Sequence, residues 1–537
     1  MKTLFVGLDL GTSAVKVGLF DEAGRALHLA RAPYSLYTPQ PRWVEQEPMD
    51  WWRAACIALR ETLAGVAPGQ VAAVGLSGQA PGHVLVTGDG MPLGRAIIWS
   101  DQRASAEAAW LAEHITPEQA RQWTGSSSIA DVTQPPARLL WLKDHRPDDW
   151  ARTAAVVQPK DFVAFRLTGC IATDRPSSYC LFNPQTGRYS AEYLQILGIA
   201  AEKMPPVLAP SGIVGTVTVE AAAATGLCIG TPVVTGTIDA WCDIIGCGGA
   251  SPGQAVDVTG TSEVIALITD HPRGDGPAAS PARRRDAVAT SPARRRDAVA
   301  TSPARRRDAV ATSPQASGVF GAHLLENLYW VGGPMQGGGG TLLWWARGFY
   351  SEQPDLQQLA GEASAMPVGA DGLLFLPYLR GDRAPVWDDQ ARGAFVGLTD
   401  RHARAHCARA VYEGIAFAVR DILERSQAAA GQRAEILRVS GGASRSALWN
   451  QIKADVTALT VQQAAVSDAA CLGAAMLAAI GVQTYHHLAA AAAAMVHPTT
   501  VFVPEPGAVA RYNELFATWR QLYPALRPLF PQLERMR

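Results

Sequence analysis

The stretch Val6-Gly7-Leu8-Asp9-Leu10-Gly11-Thr12-Ser13-Ala14-Val15-Lys16 carries an apolar run into a carboxylate, turns at Gly-Thr-Ser, and returns as a second apolar run to Phe20. The pattern predicts a β-hairpin. Its tip offers an anion the backbone N–H groups around Gly11, the hydroxyls of Thr12 and Ser13, and the Lys16 ammonium, while Asp9 suits a magnesium ion. A second tip of the same kind, Val256-Asp257-Val258-Thr259-Gly260-Thr261-Ser262, follows 249 residues later. One Gly-Thr-Ser turn is common in any protein. Two of them, each following an apolar strand that carries an aspartate, indicate a nucleotide held between two similar halves.

Asp239 is the carboxylate best placed for proton transfer. It ends the apolar run Pro232–Ile238 and precedes the helix-like Ala240-Trp-Cys-Asp-Ile-Ile. Strand ends at a domain junction of an α/β protein are rigid and open to a crevice, so a base there could take a hydroxyl proton. A plain N-cap is the competing reading. Gly337–Gly340 before a helix, and Val439-Ser-Gly441-Gly442-Ala443-Ser444 between strand and helix, would let an anionic or planar ligand approach the backbone. Ligand-free tight turns explain them equally well. The P-loop and Gly-x-Gly-x-x-Gly patterns are absent. Trp99-Ser-Asp101-Gln-Arg103 sets an acid and a base beside an aromatic, against the alternative of an exposed ion pair. The other tryptophans (Trp43, Trp51, Trp52, Trp344, Trp345) read as core.

These groups need a scaffold of alternating elements. Strands are predicted at 4–10, 14–20, 71–77 and 232–238, and helices at 48–66, 103–113 and 136–145. A new cycle follows Gly246–Gly253, with strands 255–259, 263–269 and 435–440. Its helices are predicted at 341–349, 401–429, 446–457 and 468–480. At 537 residues, two domains are expected, 1–248 and 249–537. Ser-Pro-Ala-Arg-Arg-Arg-Asp-Ala-Val-Ala-Thr occurs three times unchanged at 280–312, inside an insertion at about 271–317. Short, polar and without aromatics, the copies read as a disordered passenger rather than a nucleic-acid arm.

A net charge of −1 gives no argument for nucleic acid or a membrane surface, and no apolar stretch of about 18 residues occurs. With no CxxC among eight cysteines and no leader pattern, free thiols in a reducing cytoplasm are expected.

In order along the chain, several motifs resemble the FGGY carbohydrate kinases, xylulokinases above all. In the first half they are Gly7–Ser13, Trp43-Val-Glu45-Gln46-Glu-Pro48, Gly75-Leu-Ser-Gly78-Gln79, Trp99-x-Asp101-x-Arg103 and Pro159-Lys160-Asp161. In the second they are Gly260-Thr261-Ser262, Gly372–Tyr378, Gly381-Asp-Arg383-Ala-Pro385, Ala391–Leu398 and Gly441-Gly-Ala443. The resemblance implies an α/β chain of two actin-like (ribonuclease H-like) domains closing an interdomain catalytic cleft over ATP, Mg2+ and a sugar. It further implies Asp239 as catalytic base and Asp9 at the metal. Gly11, Thr12, Ser13, Lys16, Gly260, Thr261, Gly339, Gly442 and Ser446 would hold the nucleotide. Gln79, Ala80, Pro81, His83, Asp101, Arg103, Asp239 and Ala240 would line the sugar site.

The sugar side departs from the family pattern. Gln-Met-His-Gly is replaced by Gln79-Ala80-Pro81-Gly82-His83, Ala240 stands where Asn follows the base, and Arg138 replaces a lysine. Phosphorylation of D-xylulose to D-xylulose 5-phosphate is the expected activity. Another ketose (ribulose-type), an alditol (erythritol-type), a catalytically weak sugar sensor and an actin-like ATPase are the alternatives. The partners expected are a small sugar or polyol, no nucleic acid and no membrane, with a homodimer as the candidate assembly.

Overall fold

The computed structural model describes residues 3–124, 132–178, 180–183, 186–260, 262–271, 318–466 and 468–536. The repeats at 280–312 and Thr261 lie outside the described residues.

The first sheet is built from β1 (Leu4–Leu10), β2 (Ala14–Asp21), β3 (Ala26–Pro33), β4 (Val71–Gly78), β5 (Ile213–Thr216) and β6 (Pro232–Val234) in the order β5-β6-β4-β1-β2-β3. A short β7 (Thr237–Ile238) also pairs with β4. Three helices serve this half: α1 (Pro48–Thr62), α2 (Pro159–Thr168) and α3 (Asp239–Gly246). The second sheet comprises β8 (Gln254–Thr259), β9 (Glu263–Thr269), β10 (Phe320–Leu325), β11 (Leu328–Met335), β12 (Ile436–Ser440), β13 (Thr460–Ala464) and β14 (Pro498–Phe502). Their order is β10-β11-β9-β8-β12-β13-β14. Its helices include α4 (Gly339–Phe349), α5 (Arg404–Ala430), α6 (Ala447–Thr457) and α7 (Ala469–Gly481).

Both sheets repeat one plan. An antiparallel hairpin (β1–β2, β8–β9) gains a third antiparallel strand on one side, and two parallel strands on the other. Strand β1 shows why its sequence is apolar almost throughout. Leu4, Val6, Leu8 and Leu10 enter the core under α1 and α2, while Phe5 joins the core under α7 on the opposite face. A period of two then directs Gly7 and Asp9 to the α7 face.

The halves meet where α3 and α7 pack on one another between the sheets. Glycines permit that approach. A Cβ on Gly7 would stand 1.8 Å from the Cys471 carbonyl oxygen, and one on Gly75 1.8 Å from that of Ala474. Gly473 lies equally tight against Cys242, and Gly246 against Ala469. No helix among the described residues is long and apolar enough to cross a membrane, and all eight cysteines are free thiols.

Two of the shifts from the predicted boundaries have a local cause. The strand predicted at 232–238 is broken at Gly236, whose φ is 70° and where a Cβ would stand 1.8 Å from the Leu76 oxygen. The break lets β6 pair near Val74 and β7 pair at Ser77 and Gly78. The helix predicted to reach 66 ends at Thr62, because Gly65 takes a φ of 80°. Trp51, Trp52 and Trp345 are core as expected, but Trp99 and Trp344 are about two-fifths exposed (40% and 41%).

Candidate active site

The first tip is tied down from three sides. Asp9 and Lys16 are cross-strand partners, and the ammonium lies 3.9 Å from Asp9 Oδ2. Ser77, the register neighbour of Asp9 on β4, donates its hydroxyl to Asp9 Oδ1 at 2.8 Å. Burial raises the Asp9 carboxyl above its ordinary range, while Lys16 and Ser77 oppose that. The carbonyls of the tip are claimed by neighbours. Tyr34 donates its hydroxyl to the Gly11 oxygen, Gln79 donates to the same oxygen at 3.2 Å, and Gln46 donates to the Thr12 oxygen at 2.6 Å. Trp99 Nε1 donates to the Thr12 hydroxyl at 2.9 Å.

Asp239 is the first residue of α3, and Ala240 N donates to its Oδ1 at 2.7 Å. Ile238 occupies the cap position, so the N-cap reading does not hold. Burial, then the like charge of Asp9, pushes the Asp239 carboxyl up to about 7. One helical turn on, Asp243 is raised well above the usual carboxylate range by burial, then by Asp9 and Asp239. Asp9, Lys16, Tyr34, Asp239 and Asp243 therefore act on one another's charge in a single half-buried cluster.

Three glycine turns gather at the second tip. Gly339 N donates to the Gly260 oxygen at 3.0 Å, and a Cβ on Gly339 would stand 2.6 Å from that oxygen. Gly441, at φ 88°, leaves 2.4 Å between a would-be Cβ and the Thr259 oxygen. Gly442 follows it, and Ser446 caps α6 by accepting from Trp449 N.

The sugar-side candidates are not all gathered. Gln79 bonds Gln46 at 2.7 Å beside the first tip, and the Pro81 oxygen accepts from Arg138 at 3.0 Å. Arg138 also donates to the carbonyls of Trp99 and Asp101. His83 is buried in a separate small void with Gln158, Thr173 and Ser177. Asp101 and Arg103 pair at 2.7 Å, and Arg103 also pairs with Glu45 at 2.9 Å and stacks on Trp43 and Trp141. Both side chains are almost fully buried, which corrects the picture of an exposed pair.

Sequence reading passed over Tyr34, Ser77, Asp243 and Asp468. The four-residue spacing from Asp239 could have found Asp243. The other three depend on strand pairing or on the approach of the second half.

The comparisons with known proteins agree over the whole chain. Residues 4–246 match the N-terminal domain of the FGGY family of carbohydrate kinases, and residues 303–482 match its C-terminal domain. The chain belongs to the FGGY family of carbohydrate kinases. Among relatives of this kinase, the xylulose kinase of Bacillus subtilis (strain 168) is 28% identical, with 99% of each chain covered. The L-xylulose/3-keto-L-gulonate kinase of Escherichia coli (strain K12) is 29% identical over 98% of each. Of solved structures, a gluconate kinase from Lactobacillus acidophilus superposes with TM-score 0.84 at 25% identity, covering 99% of this chain and 100% of that one. A xylulose kinase from Rhodospirillum rubrum gives 0.79 at 27%, covering 98% and 99%. The kinase thus has the two-domain, actin-like (ribonuclease H-like) fold of that family, and it is a sugar kinase.

Proposed function

We propose that this kinase transfers the terminal phosphoryl group of ATP to a hydroxyl of a ketopentose, with D-xylulose to D-xylulose 5-phosphate as the leading assignment. The observation carrying the chemistry is Asp239, a helix-start carboxyl raised to about 7 beside the Asp9–Lys16 pair. A base tuned near neutrality can accept a hydroxyl proton as that oxygen attacks. Gly11, Thr12, Ser13 and Lys16 would hold phosphate oxygens from the first domain (1–248). Gly260, Thr261, Gly339, Gly442 and Ser446 would hold the nucleotide from the second (249–537). At Gly339 and Gly441 a Cβ would strike the backbone oxygens of Gly260 and Thr259, so bare glycine is what lets these two turns close on the second tip and gather the proposed nucleotide-binding segments there.

Asp9 fits a Mg2+ role. Its carboxylate is buried, and no group of three acidic, histidine or cysteine side chains among the described residues forms a complete cage. One carboxylate completed by phosphate oxygens and water is the usual arrangement for this ion. When bound, Mg2+ would neutralise developing phosphate charge. A cytoplasmic location belongs to the same reading, supported by the eight free thiols.

The relatives' names favour xylulose, yet they also include a 3-keto-L-gulonate kinase and a gluconate kinase. Gln79, Ala80, Pro81, His83, Asp101, Arg103 and Ala240 are the sugar-side residues of this reading, and of these Gln79, beside the Gly11 oxygen, and Ala240, against Asp239, stand nearest the reacting groups. A coupled ADP-release screen over ketoses, aldoses, polyols and sugar acids tests the reading. D-xylulose should give the highest kcat/KM. A sugar acid well above it would transfer the assignment, and sugar-independent turnover would reject it.

A further inference from the structure

Below the second tip lies a closed ionic cluster with no part in the chemistry described so far. Lys453, on α6, reaches Asp257 Oδ2 at 2.5 Å, Glu263 Oε1 at 2.5 Å and Thr259 Oγ1 at 2.9 Å. All three ammonium protons are thereby used. The residues are buried, with no more than 2% of either charged side chain exposed. Thr259 and Glu263 are cross-strand partners at the neck of the hairpin, immediately before Gly260 and after Ser262. The two other glycine turns rest on the same neck. A Cβ on Gly441 would stand 2.4 Å from the Thr259 oxygen, and one on Gly338 3.2 Å from Glu263 Cβ.

We propose that Lys453 is a positioning residue for the nucleotide, tying Thr259 and Glu263, the neck of the second hairpin, to α6. The proposal rests on the reading that this tip holds ATP phosphates. Two carboxyls share one ammonium here, so one of them must keep its proton if the cluster is to be neutral. Burial, then the charge of Asp257, pushes Glu263 up to about 8, and Lys453 opposes that shift. Among the described residues, Asp257 and Lys453 are the ionisable groups facing Glu263. With Glu263 protonated the cluster is neutral. Once Glu263 ionises, an uncompensated negative charge lies under the tip that a polyanion would approach. An ionic cluster sealed from water is a poor way to gain stability alone, since well-packed apolar residues of similar volume do as well or better.

Steady-state kinetics with ATP and the best sugar separate positioning from mere folding. Lys453→Met, similar in volume, should raise the KM for ATP at least tenfold and leave the sugar KM within twofold. A purely structural role would lower melting temperature and active fraction while both KM values stay put, and that result overturns the proposal. If Lys453→Met does not fold, Glu263→Gln decides. The wild-type KM for ATP should climb between pH 7.5 and 9, and the climb should vanish in the variant. An identical climb in both, or none in the wild type, overturns the proposal. The readings fail separately. Wild-type enzyme that neither binds nor turns over ATP rejects the kinase assignment and this inference with it. Normal turnover with unmoved KM values rejects this inference alone.

Discussion

Lys16 and Asp468 meet at 3.1 Å, one on the first hairpin and the other at the cap of α7, 452 residues later in the chain. The same ammonium lies 3.9 Å from Asp9. Burial works against its charge, but Asp9 and Asp468 outweigh that and raise Lys16 above the usual lysine range. Lys16, proposed to hold phosphate, is thus tied directly to the helix that joins the halves. Neutralising Asp468 (Asp468→Asn) should weaken ATP use through Lys16 alone. The ATP KM should rise in the single variant, with no further rise when Asp468→Asn is added to Lys16→Met. Additive effects would show that the two residues act independently.

Removing the base should separate chemistry from binding. Asp239→Asn and Asp239→Ala should lower kcat about 10³-fold, within the range for a general base, while binding of a fluorescent nucleotide stays within threefold. A variant keeping near wild-type turnover rejects Asp239 as base.

The pH profile follows from the raised Asp239 carboxyl. Protonated below about 7, it cannot take a proton. The kcat/KM for sugar should therefore rise with unit slope up to about pH 7 and level off above. For folding the sign is opposite. A raised carboxyl pKa contributes stability that is complete below about pH 4, its unfolded range, and is lost as pH passes through about 7. An acid limb centred near pH 4 would show that the base is not enclosed.

Glycine at the domain junction is a packing requirement. Gly75→Ala puts a methyl group against the backbone oxygen of Ala474, which costs about 1–3 kcal/mol or more, and melting temperature should fall by at least several degrees. Gly361→Ala, inside the helix Leu356–Ser364 with nothing within 4 Å of its would-be Cβ, is the control. That substitution should be neutral or stabilising by about 0.5–1 kcal/mol.

Both described flanks of the repeat insertion are tied to the second half of the chain. His271 Nε2 bonds the Ala430 oxygen, and Trp387 Nε1 donates to the Gly318 oxygen, with Gly318 near Arg425. Ala430 and Arg425 lie on the same helix, about 7.5 Å apart along its axis. Deleting 280–312 should leave turnover and melting temperature nearly unchanged. A loss of activity beyond tenfold, about 1.4 kcal/mol, would give the repeats a role in catalysis.

What the sequence determined by itself is local. Apolar runs and Gly-Thr-Ser turns placed β1–β2 and β8–β9 and put Asp9 and Lys16 at one tip, because a tight hairpin sets its own register. The apolar run before Asp239 likewise delivered a carboxyl to a helix start. Only the tertiary structure decided the rest. Asp239 acquires its raised carboxyl from burial and from Asp9, 230 residues earlier in the chain. Asp101 and Arg103, two residues apart and polar in sequence, are buried because Glu45, Trp43 and Trp141 close over them. Nothing within its own helix marks Lys453 out, and the neck of a hairpin about 190 residues away makes it the centre of a sealed ionic cluster. Spacing along a chain governs neighbours within a turn or a strand pair. Burial and long-range charge arise when distant segments pack, and those terms set the protonation of the groups on which the chemistry depends.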